Sequence, residues 1–345
     1  MSLIASAINL VERSALPDPV LRQGIQFLVG RTRQRLVGET VGDADFAFAR
    51  DMARYPIAEH TDAANEQHYE LPPEFFGLVL GPRRKYSCCL YRNGNETLAE
   101  AEVAALQDTV THADLADGQS ILELGCGWGS LTLYMAEQYP NARIVAVSNS
   151  APQRLYIEQQ ARERGFGNVT VITADMNAFE ATGSFDRIVS VEMFEHMANW
   201  RALLERARGW LKADGRLFLH VFTHRSRCYR FDHSDKSDWI AQHFFTGGIM
   251  PSHGLAHQFT DLFSVEKEWR WNGTHYQRTA EDWLKNMDAN RDATDRILRD
   301  VYGADAALWR RRWRLFFLAT AGLFGHAGGE EWAVSHYRLL PVSGS

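Results

Sequence analysis

The chain has little cysteine and no strong excess of charge of either sign. Its 345 residues include four cysteines, two of them adjacent, and none of the spacings that form a zinc site. We therefore expect reduced thiols, as in a cytoplasmic protein, and predict no metal site. The formal net charge of −6 provides no global basic field, so nucleic acid is not an expected partner.

A long apolar run is also missing. The N-terminal segment has no basic region and reaches Glu12 and Arg13 before any such run develops, which argues against a secretory signal. The most apolar later stretch, residues 315–324, has about half the length of a membrane-spanning helix. We therefore predict no stable membrane insertion. Apolar residues still make up 45% of the chain and aromatic residues 12%, which is enough to build a large core.

The apolar pattern changes along the chain. Residues 1–70 place apolar side chains at helical spacing and predict a helical N-terminal appendage, and residues 71–114 form a covering segment next to it. Residues 115–225 alternate short β-branched runs with amphipathic stretches, which predicts a doubly wound parallel α/β sheet. The rhythm then breaks, and residues 226–262 are interpreted as an inserted cap that shapes a substrate pocket.

Residues 263–345 are expected to complete the fold. They begin with a strand-like run over residues 263–271. Two helices are predicted over residues 280–302 and 304–323, followed by a final strand over residues 332–339.

A glycine-rich turn follows the first strand-like run of the sheet. In the stretch ILELGCGWGS, Gly125, Gly127 and Gly129 alternate with Cys126 and Trp128. Glycine permits a tight turn and a close approach of ligand to backbone, and the next helix offers free N–H groups, so a nucleotide-like ligand is predicted. The spacing is GxGxG and not the GxGxxG that holds a dinucleotide pyrophosphate. Taken alone, the turn also fits a purely structural role.

Polar side chains lie at the ends of the neighbouring strands. Glu123 precedes the glycine turn, where a carboxylate suits a ligand that carries an ammonium group. Ser148 and Gln153 follow the second strand, in the place of the usual acidic ribose ligand. Asp175 and Met176 follow the third, where they would bond and cover an adenine ring. Open α/β sheets bind ligands at these carboxyl ends.

The stretch EMFEHM follows the fourth strand-like run. It brings together two carboxylates and an imidazole, on Glu192, Glu195 and His196. In a helical turn these three positions would share one face. Carboxylates and an imidazole grouped in this way attract a cationic ligand such as an ammonium ion and can accept a proton from it. The alternative interpretation is a helix cap or a surface ion-pair cluster.

Several motifs in order give the sequence a recognisable family pattern. KYSCCLY, ELGCGWGSLTLYMAE, the VSNS and ADM turns and SVEMFEHM resemble S-adenosyl-L-methionine-dependent methyltransferases of the cyclopropane fatty acid synthase superfamily. Within it the chain is most similar to the coclaurine N-methyltransferase type, from AANEQHYELP at residue 63 to GEEWAVSHY ending at residue 337. The resemblance implies a Rossmann-like class I methyltransferase sheet with a helical N-terminal appendage and an inserted cap. It also implies N-methylation of a small aromatic or cyclic amine, and a homodimer.

The resemblance carries over to individual positions. The residues implied to contact S-adenosyl-L-methionine are Tyr86, Ser87, Glu123, Gly125, Cys126, Gly127, Gly129, Ser148, Gln153, Asp175, Met176 and Val191. The implied substrate pocket consists of Cys88, Phe194, His220, Phe245, Tyr276 and Trp332. Glu192, Glu195 and His196 are the expected catalytic residues, with both carboxylates binding the ammonium and Glu195 with His196 managing its proton.

Two other functions stay open at this point. The lipid-cyclopropanating branch holds bicarbonate as a base, and its matching residues here are Cys88, Glu195, His220 and Tyr276. That branch resembles SVGMFEHVG, with glycine where this chain has Glu192, so this residue is the best discriminator between the two chemistries. The second alternative is a protein that binds the cofactor and performs no chemistry, against which the intact EMFEHM stretch argues.

Overall fold

The computed structural model describes residues 8, 10–14, 16–37, 41–59, 71–235 and 238–342. Its strands form a seven-stranded sheet and a separate two-stranded sheet. In chain order they are β1 Ser120–Leu124, β2 Arg143–Ser148, β3 Val169–Thr173, β4 Phe185–Val191, β5 Leu211–His224, β6 Tyr229–Arg230, β7 Ile249–Met250, β8 Phe263–Trp271 and β9 Trp332–Pro341.

Helices connect the strands and extend the chain before and after them. They are α1 Asp18–Leu36, α2 Val41–Met52, α3 Pro73–Val79, α4 Leu98–His112, α5 Ser130–Gln138, α6 Ala151–Glu163, α7 Trp200–Trp210, α8 Trp239–His243, α9 Thr274–Ala289, α10 Arg291–Tyr302 and α11 Ala306–Phe324. Short 3-10 turns occur at Phe194–His196, Leu255–Gln258, Gly303–Asp305 and His326–Gly329.

The large sheet has the order β3-β2-β1-β4-β5-β9-β8. Its first five strands pair in parallel, and β9 runs antiparallel between β5 and β8. Ile121, Leu122 and Leu124 of β1 are all fully buried, as expected of a parallel strand that is covered on both faces. The predicted Rossmann-like α/β fold is therefore confirmed.

The strand order positions the two sequence motifs. The chain moves outward from β1 to β2 and β3 and then returns to β4 on the other side of β1. Such a reversal leaves a crevice at the carboxyl ends of the two central strands. The glycine turn follows β1 at this edge, and EMFEHM follows β4. Two motifs that are distant in sequence therefore meet at the centre of one sheet edge.

The C-terminal helices differ from the prediction. The sequence predicts one helix over residues 280–302, but the structure has α9 and α10 on either side of Asn290, whose φ is −100° and ψ 27°. The Asn290 side chain donates to the carbonyls of Leu78 and Asn286. An asparagine amide that bonds the backbone in this way competes with helix continuation, which accounts for the break.

The N-terminal helices pack on the C-terminal ones. Arg22 of α1 forms an ion pair with Glu281 of α9, and Arg314 of α11 pairs with Asp18.

Between β5 and β8 the chain forms the β6–β7 pair, α8 and a 3-10 turn. The five-segment division stays a prediction, and most of AANEQHYELP lies outside the described residues. Within the described ranges, the structure has no helix with the length and apolar character needed to span a membrane.

Candidate active site

The glycine turn after β1 combines open backbone with close packing. Gly125, Gly127 and Gly129 all have positive φ, at 80°, 51° and 78°. A Cβ on Gly125 would lie 2.5 Å from Met193, and one on Gly129 would lie 2.5 Å from Ile157, whereas a Cβ on Gly127 would meet nothing within 4 Å. Gly125 and Gly129 are thus required by packing as well as by conformation. The space beside Gly127 is the kind that a ligand fills.

A cleft of about 780 Å³ of empty space, including its open mouth, lies at this sheet edge. It brings together eight of the residues predicted from the sequence: Gly125, Gly127, Ser148, Gln153, Asp175, Met176, Glu192 and His196. The remaining predicted site residues do not line it. The sequence motifs after β1, β2, β3 and β4 therefore do form one site.

The β2 side of the cleft has an unused hydrogen-bond donor. Ser148 Oγ donates to Gln153 Oε1 at 2.6 Å, which fixes the orientation of that amide. Gln153 is 1% exposed, and its Nε2 has no partner among the described residues. A buried donor without a partner is costly unless a ligand accepts its hydrogen bond. A ribose hydroxyl of S-adenosylmethionine fits this position.

Several predicted cofactor residues lie behind the cleft wall. Glu123 accepts a hydrogen bond from Thr132 at 2.5 Å, and burial raises its pKa to about 7. Ser87 Oγ accepts one from Lys85, and Tyr86 packs against Phe76 with ring centroids 5.4 Å apart. Cys126 is buried and Val191 ends β4. None of these five predicted residues lines the cleft, nor does Gly129, so their cofactor role stays a prediction.

Glu192 is held in an unusual conformation by three donors. Its φ of 48° lies in the left-handed region, which costs energy for a residue with a Cβ and persists where the surroundings compensate. Its Oε1 accepts from the Cys88 backbone N–H at 2.9 Å and bonds His220 Nε2 at 3.2 Å, while Oε2 accepts from Tyr276 at 2.6 Å. Burial raises the pKa of Glu192, and the charge of Lys85 opposes that rise.

Glu195 occupies a different environment from Glu192. It is fully buried within the 3-10 turn Phe194–His196, and its Oε1 accepts from the Phe222 N–H at 2.6 Å. Oε2 has no partner among the described residues. Burial, reinforced by the negative charge of Glu192, raises the pKa of Glu195 well above its usual range. Because Glu192 precedes this turn, the expectation of one shared helical face is wrong, and Glu195 does not line the cleft.

His196 lines the same cleft as the cofactor motifs. Its ring stacks on Phe245 with centroids 4.3 Å apart, and Phe245 in turn meets Phe231 edge-on at 5.0 Å. Of these three rings only the imidazole lines the cleft, and the two phenylalanines lie behind it. His196 therefore places an imidazole on the same cleft as the Glu192 carboxylate.

The predicted substrate residues divide into three groups. Cys88, His220 and Tyr276 converge on the Glu192 carboxylate, with the Cys88 thiol itself turned to the Cys89 carbonyl. Phe245 supports His196. Phe194 packs in the core edge-on to Trp200, and the fully buried Trp332 donates to Tyr229 at 3.1 Å. These last two contacts correspond to packing behind the site and not to its lining.

Sequence reasoning missed other residues of the site. Lys85, 2% exposed, donates from Nζ to Ser87 Oγ and to the Cys88 carbonyl, both at 2.6 Å, and so brings a cation to the Glu192 environment. The motif KYSCCLY contains this lysine, but the sequence pattern predicts no role for it. The further lining residues are Ala58, Glu59, Val147, Asn149, Ala174, Met193, Met197 and Thr246. Ala58 and Glu59 follow α2, and no sequence motif marks them.

Comparison with known proteins assigns the family. The model of the mycolic acid cyclopropane synthetase family matches residues 58–327. The chain belongs to this family. It is 34% identical to (S)-coclaurine N-methyltransferase of Thalictrum flavum subsp. glaucum, over 97% of this chain and 95% of that one. The identity to the (S)-coclaurine N-methyltransferase of Papaver somniferum is 37%, over 94% and 95% of the two chains.

A solved structure extends this likeness to the fold. The crystal structure of coclaurine N-methyltransferase bound to N-methylheliamine and SAH has a TM-score of 0.92 and 34% identity, over 98% of this chain and 99% of that chain. These findings confirm the predicted family and cofactor. The chain is an S-adenosylmethionine-dependent N-methyltransferase. The space at Gly127 and the unpartnered Gln153 amide fit that cofactor.

Proposed function

We propose that the chain methylates the nitrogen of a small aromatic or cyclic amine of the alkaloid type. The observation that carries this proposal is the Glu192 carboxylate at the cleft, held by Cys88, His220 and Tyr276. The N-methyltransferase relatives and the stack of the His196 ring on Phe245 support the choice of substrate. We also propose a cytoplasmic location, with which the four free cysteines agree. We further propose that the protein is a homodimer.

The cofactor would lie along the ends of β1 to β3. Gly125 and Gly127 would take its amino acid end, Ser148 and Gln153 its ribose, and Asp175 with Met176 its adenine. When bound, S-adenosylmethionine supplies a methyl group on a positively charged sulfur. The chain's own task is to align the amine nitrogen with that group and to free its lone pair.

Glu192 is the proposed base. It faces the cleft, where an anion attracts the ammonium form of the amine, and it can accept the proton that must leave before methylation. His196 lies on the same cleft and would orient the amine. We assign Glu195 a supporting place under this site, because its burial favours the uncharged acid, which cannot attract a cation.

The same carboxylate argues against cyclopropane chemistry. Three of the four residues that the resemblance matches to a bicarbonate site, Cys88, His220 and Tyr276, already bond Glu192. Their hydrogen-bonding capacity toward a separate carbonate is thereby used. A built-in carboxylate in place of a bound one suits a reaction in which the base must accept a proton from an amine.

A mass-spectrometric screen tests the proposal. The purified chain is incubated with S-adenosylmethionine and a panel of primary, secondary and tertiary aryl-alkyl and cyclic amines, with unsaturated phospholipid vesicles and bicarbonate as a parallel arm. We expect methylated amine and unmodified lipid. Modified lipid with unmodified amines would overturn the proposal, and cofactor binding without turnover on either panel would favour the non-catalytic alternative.

The variant Glu192→Gly sharpens this test. It removes the carboxylate and leaves the three donors in place. We expect amine methylation to fall and to recover in part when bicarbonate or acetate is added, because a free anion can bind the vacated donors. Glu192→Gln, which keeps the volume filled, is the matched control and should show no such recovery. Light scattering of the same protein tests the homodimer, and cell fractionation tests the location.

A further inference from the structure

A line of three histidines connects Glu192 to the end of α4. His220 Nε2 lies 3.2 Å from Glu192 Oε1, and His336 Nε2 lies 2.9 Å from His220 Nδ1. His112 Nδ1 lies 2.8 Å from His336 Nδ1, and its Nε2 is 3.6 Å from Asp108 Oδ2. His220 and His336 are fully buried. The proposed function uses none of these imidazoles beyond the first contact.

Hydrogen-bond directions along this line are fixed by its first member. An ionised Glu192 can only accept, so His220 must carry its proton on Nε2. Its bare Nδ1 then accepts from His336 Nε2–H, and the bare Nδ1 of His336 accepts from His112 Nδ1–H. Burial lowers the pKa of both His220 and His336 well below the usual range, so each holds a single proton. The ionisation of Glu192 therefore determines every tautomer in the line.

At the outer end of the line, a carboxylate and an indole lie beside the His112 ring and oppose the effect of burial, which disfavours its charged form. The side chain of His112 is 12% exposed, and Asp108 lies beside it. The indole of Trp269 stacks flat on the imidazole with centroids 3.8 Å apart and planes 9° apart, which stabilises a cationic ring. Asp108 is oriented by hydrogen bonds from Trp271 at 3.0 Å and from Arg92 at 3.1 Å.

We propose that His220, His336 and His112 form a proton relay that ionises Glu192 by moving its proton to His112. This inference rests on the proposed role of Glu192 as the base. A buried carboxylate needs only one imidazole as a hydrogen-bond partner. Here two further imidazoles continue the line, and the last one is ion-paired and stacked. The relay ionises Glu192 by moving its proton to His112, so that this proton does not have to leave through the cleft that the substrate occupies.

The proton shift balances within the chain. The Glu192 carboxylic acid gives its proton to His220 Nε2, His220 Nδ1–H passes to His336 Nε2, and His336 Nδ1–H passes to His112 Nδ1. Glu192 ends as a carboxylate and His112 as an imidazolium beside Asp108. The total number of protons is unchanged, and the reverse shift restores the starting tautomers. Because burial raises the pKa of Glu192 and lowers that of His112, the two groups compete for one proton.

Other charged groups surround both ends of the relay. Glu192 is faced by Lys85 and Cys88 from the segment before α4, by Tyr276 from α9, and by Glu195. Around His112 stand Asp108 on its own helix, Arg92 from the preceding loop, and His336 and Arg338 from β9. Lys85 also lowers the pKa of His220 and His336.

The same side chains could have two other roles, and the experiments below distinguish both from a relay. The line could serve only as buried polar packing between β5, β9 and α4. Asp108, His112 and His336 also lie within 4.8 Å of one another, close enough to contact one small cation. The 2.8 Å spacing of His112 and His336 is that of a direct hydrogen bond, which favours the relay.

Steady-state pH profiles test the relay. His336→Gln and His112→Gln cannot pass a proton, so Glu192 should ionise about one pH unit higher and kcat/KM should fall about tenfold below that pH. The loss should disappear as the pH rises above the new pKa. The double variant should lose no more than either single one, because both break the same line. His253→Gln, which removes a half-buried histidine outside the line, should match the unchanged protein.

The result that would overturn the relay is equally specific. A rate loss that persists at all pH values would assign the histidines to packing, and a loss reproduced in the unchanged protein by a chelator would assign them to a cation. If His336→Gln fails to fold, His112→Gln still tests the relay, because the His112 side chain is partly exposed at the outer end of the line and its replacement should disturb the fold less. Rates equal to those of the unchanged protein in both variants would also overturn the proposal.

A second measurement needs no turnover. The titration of His112 is followed by NMR in the full chain with and without Glu192→Gln. That variant removes the proton source, so the apparent pKa of His112 should fall by about half a unit, and the fall should be mostly lost in the His336→Gln background. An equal fall in both backgrounds would show a through-space charge effect and no relay. This arm remains decisive even if the amine screen fails, so the two proposals can fail separately.

Discussion

The two halves of the cleft are built in different ways. The cofactor half consists of short turns at the ends of β1, β2 and β3, and its contacts connect residues close in sequence, such as Ser148 and Gln153. The catalytic half collects single residues from three distant segments around Glu192. Residues close in sequence can form a binding surface by themselves. A buried charge needs several hydrogen-bond partners, and these come from segments that only the complete fold brings together.

The difference also appears in how each half tolerates strain. At the glycine turn the positive φ values fall on residues without a Cβ, so the conformation costs little. Glu192 adopts a φ of 48° with a full side chain. We infer that the three donors around its carboxylate compensate for this cost, and that the conformation turns the side chain back toward Cys88, His220 and Tyr276.

The largest effect is expected from Glu192→Gln. The amide cannot accept the amine proton, so kcat should fall about a hundredfold or more while the affinity for S-adenosylmethionine stays within about twofold. Single-turnover kinetics and calorimetry measure the two quantities. Glu331→Gln is the matched control, since Glu331 is also buried and bonded by a histidine, His224, at 3.2 Å, away from the cleft. It should lower the unfolding midpoint and leave kcat unchanged. Similar kcat losses in both variants would remove the contrast between the two halves.

A smaller effect is expected from Tyr276→Phe. The hydrogen bond from Tyr276 lowers the pKa of Glu192, so its loss should raise that pKa further. Fewer molecules then carry an ionised base at neutral pH, and kcat/KM should fall about tenfold there. The loss should recover as the pH rises, because Glu192 ionises above its new pKa. Phenylalanine keeps the stack on Phe324, whose centroid lies 4.4 Å away.

Tyr337→Phe controls for the loss of a buried phenol. Tyr337 is 1% exposed and donates to the His253 carbonyl at 2.7 Å, outside the cleft. Its variant should show the pH profile of the unchanged protein. A loss of activity in Tyr276→Phe that is the same at every pH would mean that the hydroxyl orients the substrate and does not tune Glu192.

The sequence predicts the cofactor half better than the catalytic half, and the reason is physical. Parallel strands bring their carboxyl ends to one edge, so Gly127, Ser148 and Asp175 can be placed from strand order alone. The strand at Phe263–Trp271 can likewise be predicted from the run of residues that favour strands. The helix that starts at Ala151 can be predicted from its helical spacing and from a proline near its start. Each of these inferences uses only neighbours in the chain.

The relay could not be predicted in the same way. His220 and His336 are 116 residues apart in sequence and meet only because β9 pairs antiparallel with β5, in the register His220 opposite His336. A lone histidine on an apolar strand is normally interpreted as a core residue. The spacing does not predict the buried place of Glu195 for a related reason, since the left-handed backbone at Glu192 breaks the helical period that the spacing implies.

The smallest effect contrasts two glycines of one turn. Gly129→Ala would place a Cβ 2.5 Å from Ile157, which should destabilise the fold by about 1–3 kcal/mol and leave cofactor affinity nearly unchanged. Gly127→Ala shares the cost of a positive φ with Gly129→Ala but meets no protein atom within 4 Å, so its Cβ should occupy space needed by S-adenosylmethionine and weaken binding about fivefold. Thermal unfolding and calorimetry separate the two outcomes. Equal cofactor affinity in Gly127→Ala and in the unchanged protein would mean that the open space at this glycine is not part of the cofactor site, and the local half of the cleft would then begin at Ser148.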